Sequence, residues 1–308
     1  MPFLVLYRYL NGLAMGSLII KVKAKLKIYS HEKTRGLLEG EYGSVFKGRS
    51  MDFEDLREYT LGDDIKDIDW KATARSGTTL IRRYVAIRKH NILIVNDTGL
   101  NMLAHSKDGD LKKDVGVMIA GIIGYVAQKH GDLVAMVAGD ERRTIYLPLK
   151  GTNAQLEFML QQILDNTTES SAESNLTKQL EFIARNISRR MIVIIISDDR
   201  NISATDQHLL RRLVAQHEMM LVNISDLDPT DKRWKDYDIE SVNSGMRIPN
   251  FIKNSPKLNQ ELGDLVRNDG AKRRRRLQRS GIMSESINGE NDVIYKLFKL
   301  LRKQRYAK

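Results

Sequence analysis

The chain has 308 residues, 42% of them hydrophobic and 29% charged, with no cysteine and six histidines. This is the composition of a globular protein rather than a disordered one, and it excludes disulfides, thiol catalysis and cysteine-ligated zinc; no H-x-x-x-H or H-E-x-x-H spacing occurs, which argues against a histidine-based metal site. The net charge of +11 is uneven: residues 1–50 carry nine Lys/Arg against three Glu, residues 272–308 carry twelve against three acids, and the stretch between nets −4. Basic ends on a mildly acidic body argue against a specific nucleic-acid-binding fold and for appendages that meet acidic proteins or anionic lipid.

From the N-terminus, Phe3–Ile20 is mostly apolar but broken by Arg8, Asn11, Gly12 and Gly16, and it only reaches the lower length limit of a membrane span. No basic n-region precedes it and no cleavage site follows, against a secretory signal. Lys21, Lys23, Lys25 and Lys27 then alternate with apolar residues. Residues 1–35 therefore read either as a peripheral anchor on an anionic membrane face or as a helix packed on the domain.

Residues 36–90 form a turn-rich extension. Gly36, Gly40, Gly43 and Gly48 point to tight turns or hairpins. Between Asp52 and Arg75, the residues Arg57, Glu58, Gly62, Asp63, Asp64, Asp69, Trp70 and Arg75 predict a partly buried network in which carboxylates grip guanidinium groups. Gly62 is expected to supply the turn that bends Asp63 and Asp64 back. Carboxylates so close to cations stay ionised and make poor general acids, so a structural role is favoured over hydrolysis.

Residues 91–230 alternate strands and helices. A buried strand at 91–97 leads to an apolar helix at Lys112–Lys129, in which Gly116, Ala120 and Gly124 allow close approach to a sheet. Strands at 133–138 and 143–149 follow, then a helix opened by Gly151-Thr152-Asn153 and a solvated loop at Thr167–Ser174. A helix at 175–188, a strand at 191–199, a helix at 202–217 and a strand at 219–226 complete the pattern. This is an α/β fold with a doubly wound, mostly parallel, Rossmann-like sheet. In 231–308, Leu258–Leu277 and Val293–Arg305 read as basic helices, with Ser280–Asp292 a loop between them.

Asp97 and Asp198 close the two most apolar strands, at the carboxyl edge where open α/β sheets bind ligands. Together with Thr152 they predict a site of two carboxylates and a hydroxyl, suited to a hard divalent cation such as Mg²⁺. The helix start after Gly151 equally suits an anion, and a cap or turn role for Asp97 stands beside both.

Leu56–Asp64 (L-R-E-Y-x-x-G-D-D) and Ile68–Arg75 (I-D-W-K-A-T-A-R), followed by the Asp97 strand, strongly resemble the bacterial "domain of unknown function 58" proteins, which are von Willebrand factor A-like. The resemblance spans roughly residues 36–305. It implies a von Willebrand A-like sheet and, as a partner, a MoxR-type AAA+ ATPase in chaperone-like assembly or maturation of a client protein. It attaches no enzymatic activity. It also implies a metal-ion-dependent adhesion site with a first loop D-x-S-x-S. Here that loop reads Asp97-Thr98-Gly99-Leu100-Asn101: Gly99 offers no ligand and Asn101 an amide oxygen, so a degenerate site of Asp97, Asn101, Thr152 and Asp198 is expected.

The expectation is thus a non-enzymatic adaptor in the cytoplasm, using the sheet edge near Asp97 to bind the ATPase or its client. Two alternatives accompany it: a scaffold held by its basic ends on the inner face of the cell membrane, and a metal-dependent hydrolase. The hydrolase lacks an evident base, since the Asp97 loop holds no His or Glu and the nearest histidine is His105.

Overall fold

The computed structural model describes residues 3–5, 17–30, 49–87, 89–198, 207–279 and 282–306. The chain divides into a larger unit, 1–45 with 91–308, and a smaller one, 46–90. The larger unit opens with β1 (Phe3–Val5) and α1 (Leu18–Ser30). The smaller holds β2 (Arg49–Glu58), α2 (Trp70–Ser76) and β3 (Leu80–Ile87). The larger resumes with β4 (Asn91–Asp97), α3 (Lys112–Lys129), β5 (Leu133–Gly139), β6 (Thr144–Lys150), α4 (Asn153–Asn166), α5 (Leu176–Asn186) and β7 (Ile192–Asp198). It ends with α6 (Gln207–Gln216), β8 (Glu218–Ile224), β9 (Ile239–Ser241), α7 (Asn250–Asn254), α8 (Pro256–Arg279), β10 (Met283–Ile287) and α9 (Val293–Tyr306).

Six strands form the central sheet in the order β10-β8-β7-β4-β5-β6. All neighbours are parallel except β6, which runs antiparallel to β5 at the edge. Pairing of β4 with both β5 and β7 puts the topological switch point between β4 and β7. This is the von Willebrand A-like sheet, with one antiparallel edge strand. Successive residues of β4 and β7 face opposite layers, as strand geometry requires. Leu93, Val95, Val193 and Ile195 pack with Leu176, Leu180 and Ile183 of α5 and Leu210 and Leu213 of α6. Ile194 of β7 and Met220 of β8 instead line an apolar space with Ile122, Ile123 and Val126 of α3 and Leu297, Leu300 and Leu301 of α9. Helix α3 is thus enclosed on several sides, which explains a helix apolar nearly all round.

Several expectations change. Gly116 faces the sheet, where an added Cβ would lie 3.4 Å from Asn96 Oδ1, but Gly124 faces α4, 2.4 Å from Leu156 Cδ1. The expected loop at 280–292 contains β10, the sixth strand. Its sequence M-S-E-S-I has only two large apolar residues, because an edge strand needs one packed face. The expected solvated loop at 167–174 exposes Glu169, Ser170 and Glu173 but buries Thr167, Ser171 and Ala172, and Thr167 donates from its hydroxyl to the Ile163 carbonyl at 2.7 Å.

At the N-terminus, the packed-helix reading holds for α1. Leu18, Ile19, Val22 and Leu26 are buried, and an added Cβ at Gly121 of α3 would lie 2.5 Å from Val22. Glu157 of α4 accepts hydrogen bonds from the Leu18 and Ile19 amides at 2.8 and 2.9 Å, satisfying donors at the start of α1. The apolar face of α1 is therefore already spent on the domain, and among the described residues no helix is long and apolar enough to cross a membrane. The glycine series at 36–48 lies outside the described residues.

Candidate functional site

The parallel register brings Asp97 and Asp198 to the same edge, since Asn96 pairs with Ile196 and Asp198 with Ile224. Both carboxylates are buried, each 2% exposed. Asp97 Oδ1 accepts the Gly99 amide at 2.8 Å and Oδ2 the Ser197 hydroxyl at 3.5 Å. Burial pushes the Asp97 pKa up to about 7, helped by the Asp198 charge and opposed by the Gly99 amide, Ser174 hydroxyl and Lys112 ammonium.

Thr152 does not join them. Because β6 runs antiparallel, Lys150 pairs with Val134 near the start of β5, so the segment after β6 emerges at the amino edge of the sheet. That is about 20 Å from Asp97 at the rise of an extended strand. There Thr152 is exposed and caps α4, accepting the Gln155 amide at 3.3 Å. Besides Ser197, the hydroxyl that faces Asp97 is that of Ser174, just ahead of α5. Asp140 Oδ2 accepts the Ala172 amide at 3.0 Å and the Ala172 carbonyl accepts the Leu100 amide at 2.9 Å. These bonds pin residues 172–174 against the Asp97 loop so closely that a Cβ at position 99 would lie 2.5 Å from the Ser174 Cα, N and Oγ. Gly99 is thus dictated by packing. Ser174 Oγ is sealed from solvent without completing a hydrogen bond of good geometry. Asn101 sits beneath the loop, 4% exposed, in a short 3-10 turn at Leu100–Leu103.

The cation at this edge comes from the chain. Lys112, first residue of α3, is fully buried; its ammonium lies 3.4 Å from Asp198 Oδ2 and contacts Asp226 Oδ1 as well. Burial opposes the Lys112 charge, but Asp226 and Asp198 outweigh it, and its pKa rises. Residues 104–112 double back over this edge: Lys112 N donates to the Ala104 carbonyl at 3.0 Å, and Lys107 N to the Ser225 carbonyl at 3.0 Å. Bridges pair His105 with Leu111 and Ser106 with Asp226, closing the layer.

A divalent ion does not fit this arrangement. Gly99 supplies no ligand, Thr152 is at the opposite edge, and Asp198 is already paired with an ammonium. A dication there would also meet the repulsion of that ammonium charge.

In the smaller unit the signature charges serve a turn. Arg57 donates to Asp63 Oδ1 at 2.6 Å, and Asp63 Oδ2 accepts the Thr60 amide at 2.9 Å across Gly62, whose φ is +109°. Hydrogen bonds from Arg57 and the Thr60 amide hold the Asp63 pKa far below the usual carboxylate range. Asp64 caps a 3-10 turn at Ile65–Asp67, and Asp69 caps α2 through the Lys71 and Ala72 amides. The guanidinium paired with Asp69 is Arg82 of β3, at 2.9 Å, a residue the sequence did not single out; Arg75 and Glu58, which it did, are exposed. Trp70 is not a buried centre. It is 66% exposed, beside Leu61 at 102% and Ile65 at 64%.

The family described as "Protein of unknown function DUF58" matches residues 55–236, from the signature turn through both carboxylate strands. The chain belongs to the DUF58 family. Uncharacterized proteins of Mycobacterium bovis and Mycobacterium tuberculosis are similar to this DUF58 chain, at 23% identity over 212 residues, covering 68% of it and 66% of their own length. Among solved structures, a conserved hypothetical protein BatB from Bacteroides thetaiotaomicron is similar at 12% identity and TM-score 0.41, over 70% of this chain and 99% of that one. The SpRpn10 VWA domain is similar at 11% identity and TM-score 0.31, over 59% of this chain and 95% of that domain.

Proposed function

We propose that this DUF58 chain is a non-enzymatic interaction module that works with a MoxR-type AAA+ ATPase on a client protein, and that the signature turn makes the contact. The observation that carries this reading is the exposure of Leu61, Ile65 and Trp70 within a stretch whose neighbouring charges are engaged in holding the turn. Large apolar side chains held in water by a fixed turn are what an interaction anchor requires. The sheet edge supports the same division of labour. Its carboxylates face an internal lysine, so they offer neither an accessible base nor a nucleophile to a substrate. The ATPase enters through the family resemblance.

The test is a tagged pull-down from native lysate, in Mg²⁺ and in EDTA, with the wild-type chain, Trp70→Ala and Leu61→Ser. Equal recovery of an AAA+ ATPase in both buffers, lost in the two variants, is the expected result. Recovery that survives both substitutions, or that requires Mg²⁺ and is lost in Asp97→Ala, overturns this assignment of the contact.

A further inference from the structure

We propose that the Lys112 ammonium is the permanent cation of this sheet edge, holding by covalent attachment the place that the adhesion-site pattern gives to a divalent metal. The inference stands apart from the adaptor reading and needs no partner. Three observations converge on it. Lys112 is wholly buried and touches two carboxylates that come from different strands, Asp198 at the end of β7 and Asp226 just beyond β8. Asp97, from β4, is close enough for Lys112 to pull its pKa down. The ammonium therefore ties together the carboxyl ends of β7 and β8, with Asp97 of β4 within reach of its field.

The second observation is the position of the lysine. The first residue of a helix sits at the positive end of the macrodipole, where a cation is disfavoured, and α3 has no side-chain cap there. A buried lysine at that place persists only because anionic groups surround it. Asp198 and Asp226 touch it and Asp97 lies within its field.

The third observation is the loss of ligands on the other side. Residues 172–174 occupy the space that a side chain at position 99 would need, so the loop cannot carry a hydroxyl ligand without moving that segment. A site with a built-in charge has no use for one. The lysine also changes what the edge can bind. An open metal coordinates an acidic group from a partner, whereas an ammonium sealed under residues 104–112 cannot.

The experiment uses the full chain. Mn²⁺ binding is measured by equilibrium dialysis and electron paramagnetic resonance, and thermal midpoints are taken in EDTA and in millimolar MnCl₂ or MgCl₂. For the wild-type chain the expected result is no site tighter than millimolar and the same midpoint in all three buffers. Lys112→Ala vacates the ammonium's place between the carboxylates. It is expected to melt earlier in EDTA, to regain part of the loss in MnCl₂, and to bind one Mn²⁺ at least about tenfold more tightly than wild type. Lys112→Arg, which keeps the charge, should remain indifferent to Mn²⁺. A wild-type site with sub-millimolar affinity that disappears in Asp97→Asn overturns the proposal, as does a folded Lys112→Ala that binds no Mn²⁺. The wild-type dialysis decides the matter even where Lys112→Ala fails to fold.

Discussion

Asp97→Asn isolates the cost of keeping a second carboxylate beside Asp198. The asparagine side chain has nearly the same shape and its Oδ1 can still accept the Gly99 amide, so packing is preserved. What changes is titration. The native Asp97 pKa is raised from 3.8 to about 7, so between these values the folded chain binds a proton that the unfolded chain has released. Stability contributed by this group is then fully present below the unfolded value, and it is lost as pH rises through the folded one. At about 1.4 kcal/mol for each pKa unit, the full loss is about 4 kcal/mol, of which about 3 falls between pH 5 and pH 8. The substitution removes that slope. Urea unfolding in EDTA at several pH values measures it: the variant should gain on wild type by about 3 kcal/mol as pH rises across that window. A constant gap between the two curves would show that Asp97 is ionised throughout, and the account of its burial would be wrong.

Gly99→Ala places a methyl 2.5 Å from the Ser174 backbone and should cost about 1–3 kcal/mol in urea unfolding. Gly99→Ser, which restores one of the two missing hydroxyls of the adhesion-site loop, should be no better, and a stability equal to wild type would refute the packing argument. Trp70→Ala removes an exposed side chain and should leave stability within about 0.5 kcal/mol of wild type; a larger loss in a thermal or urea melt means the indole is packed. Glu285, buried, accepts from Lys296, Lys299 and Lys303. Burial pushes its pKa up, but Lys303 and Lys299 outweigh it and the net shift is downward. Its stabilisation is present above the ordinary carboxylate range and lost as pH falls through the lowered value. Glu285→Gln should therefore be destabilised near neutrality, with the gap to wild type closing in acid; a gap independent of pH would assign the loss to packing instead.

Much of the fold was legible because burial on two faces leaves a direct trace. Strands β4 and β7 are unbroken apolar runs, and α3 is apolar on nearly every side, since each is enclosed by neighbours. Strand β10 left no such trace. At the sheet margin its side chains alternate, and in five residues a short alternation between loops does not rise above ordinary polar sequence. In the smaller unit the carboxylates named from the sequence are engaged, but one of their partners was not among the residues named. Asp69 pairs with Arg82 because β3 returns antiparallel beside β2, with Leu56 opposite Arg82. That contact is set by register across a hairpin, which spacing along the sequence does not reveal.

The site was legible as two aspartates and no further, and the reason is topological. Thr152 follows a strand in sequence just as Asp97 and Asp198 do, and only the reversed direction of β6 sends it to the far edge. Ser174 is preceded by polar residues that read as a solvated loop, until Asp140 is seen to draw Ala172 inward. Lys112 is the hardest case. Beside Lys113 at a helix start it has the look of a solvated end, and its burial depends on residues 104–112 folding back over the strand ends. These three placements are linked. With residues 172–174 seated against position 99, the loop cannot carry a side chain there; with Lys112 between Asp198 and Asp226, it does not need one to hold a cation. Removal of the lysine charge alone is therefore expected to let the carboxylates take up Mn²⁺, whereas the full adhesion-site pattern would require in addition retraction of residues 172–174, since a ligand side chain at position 99 has no room beside Ser174.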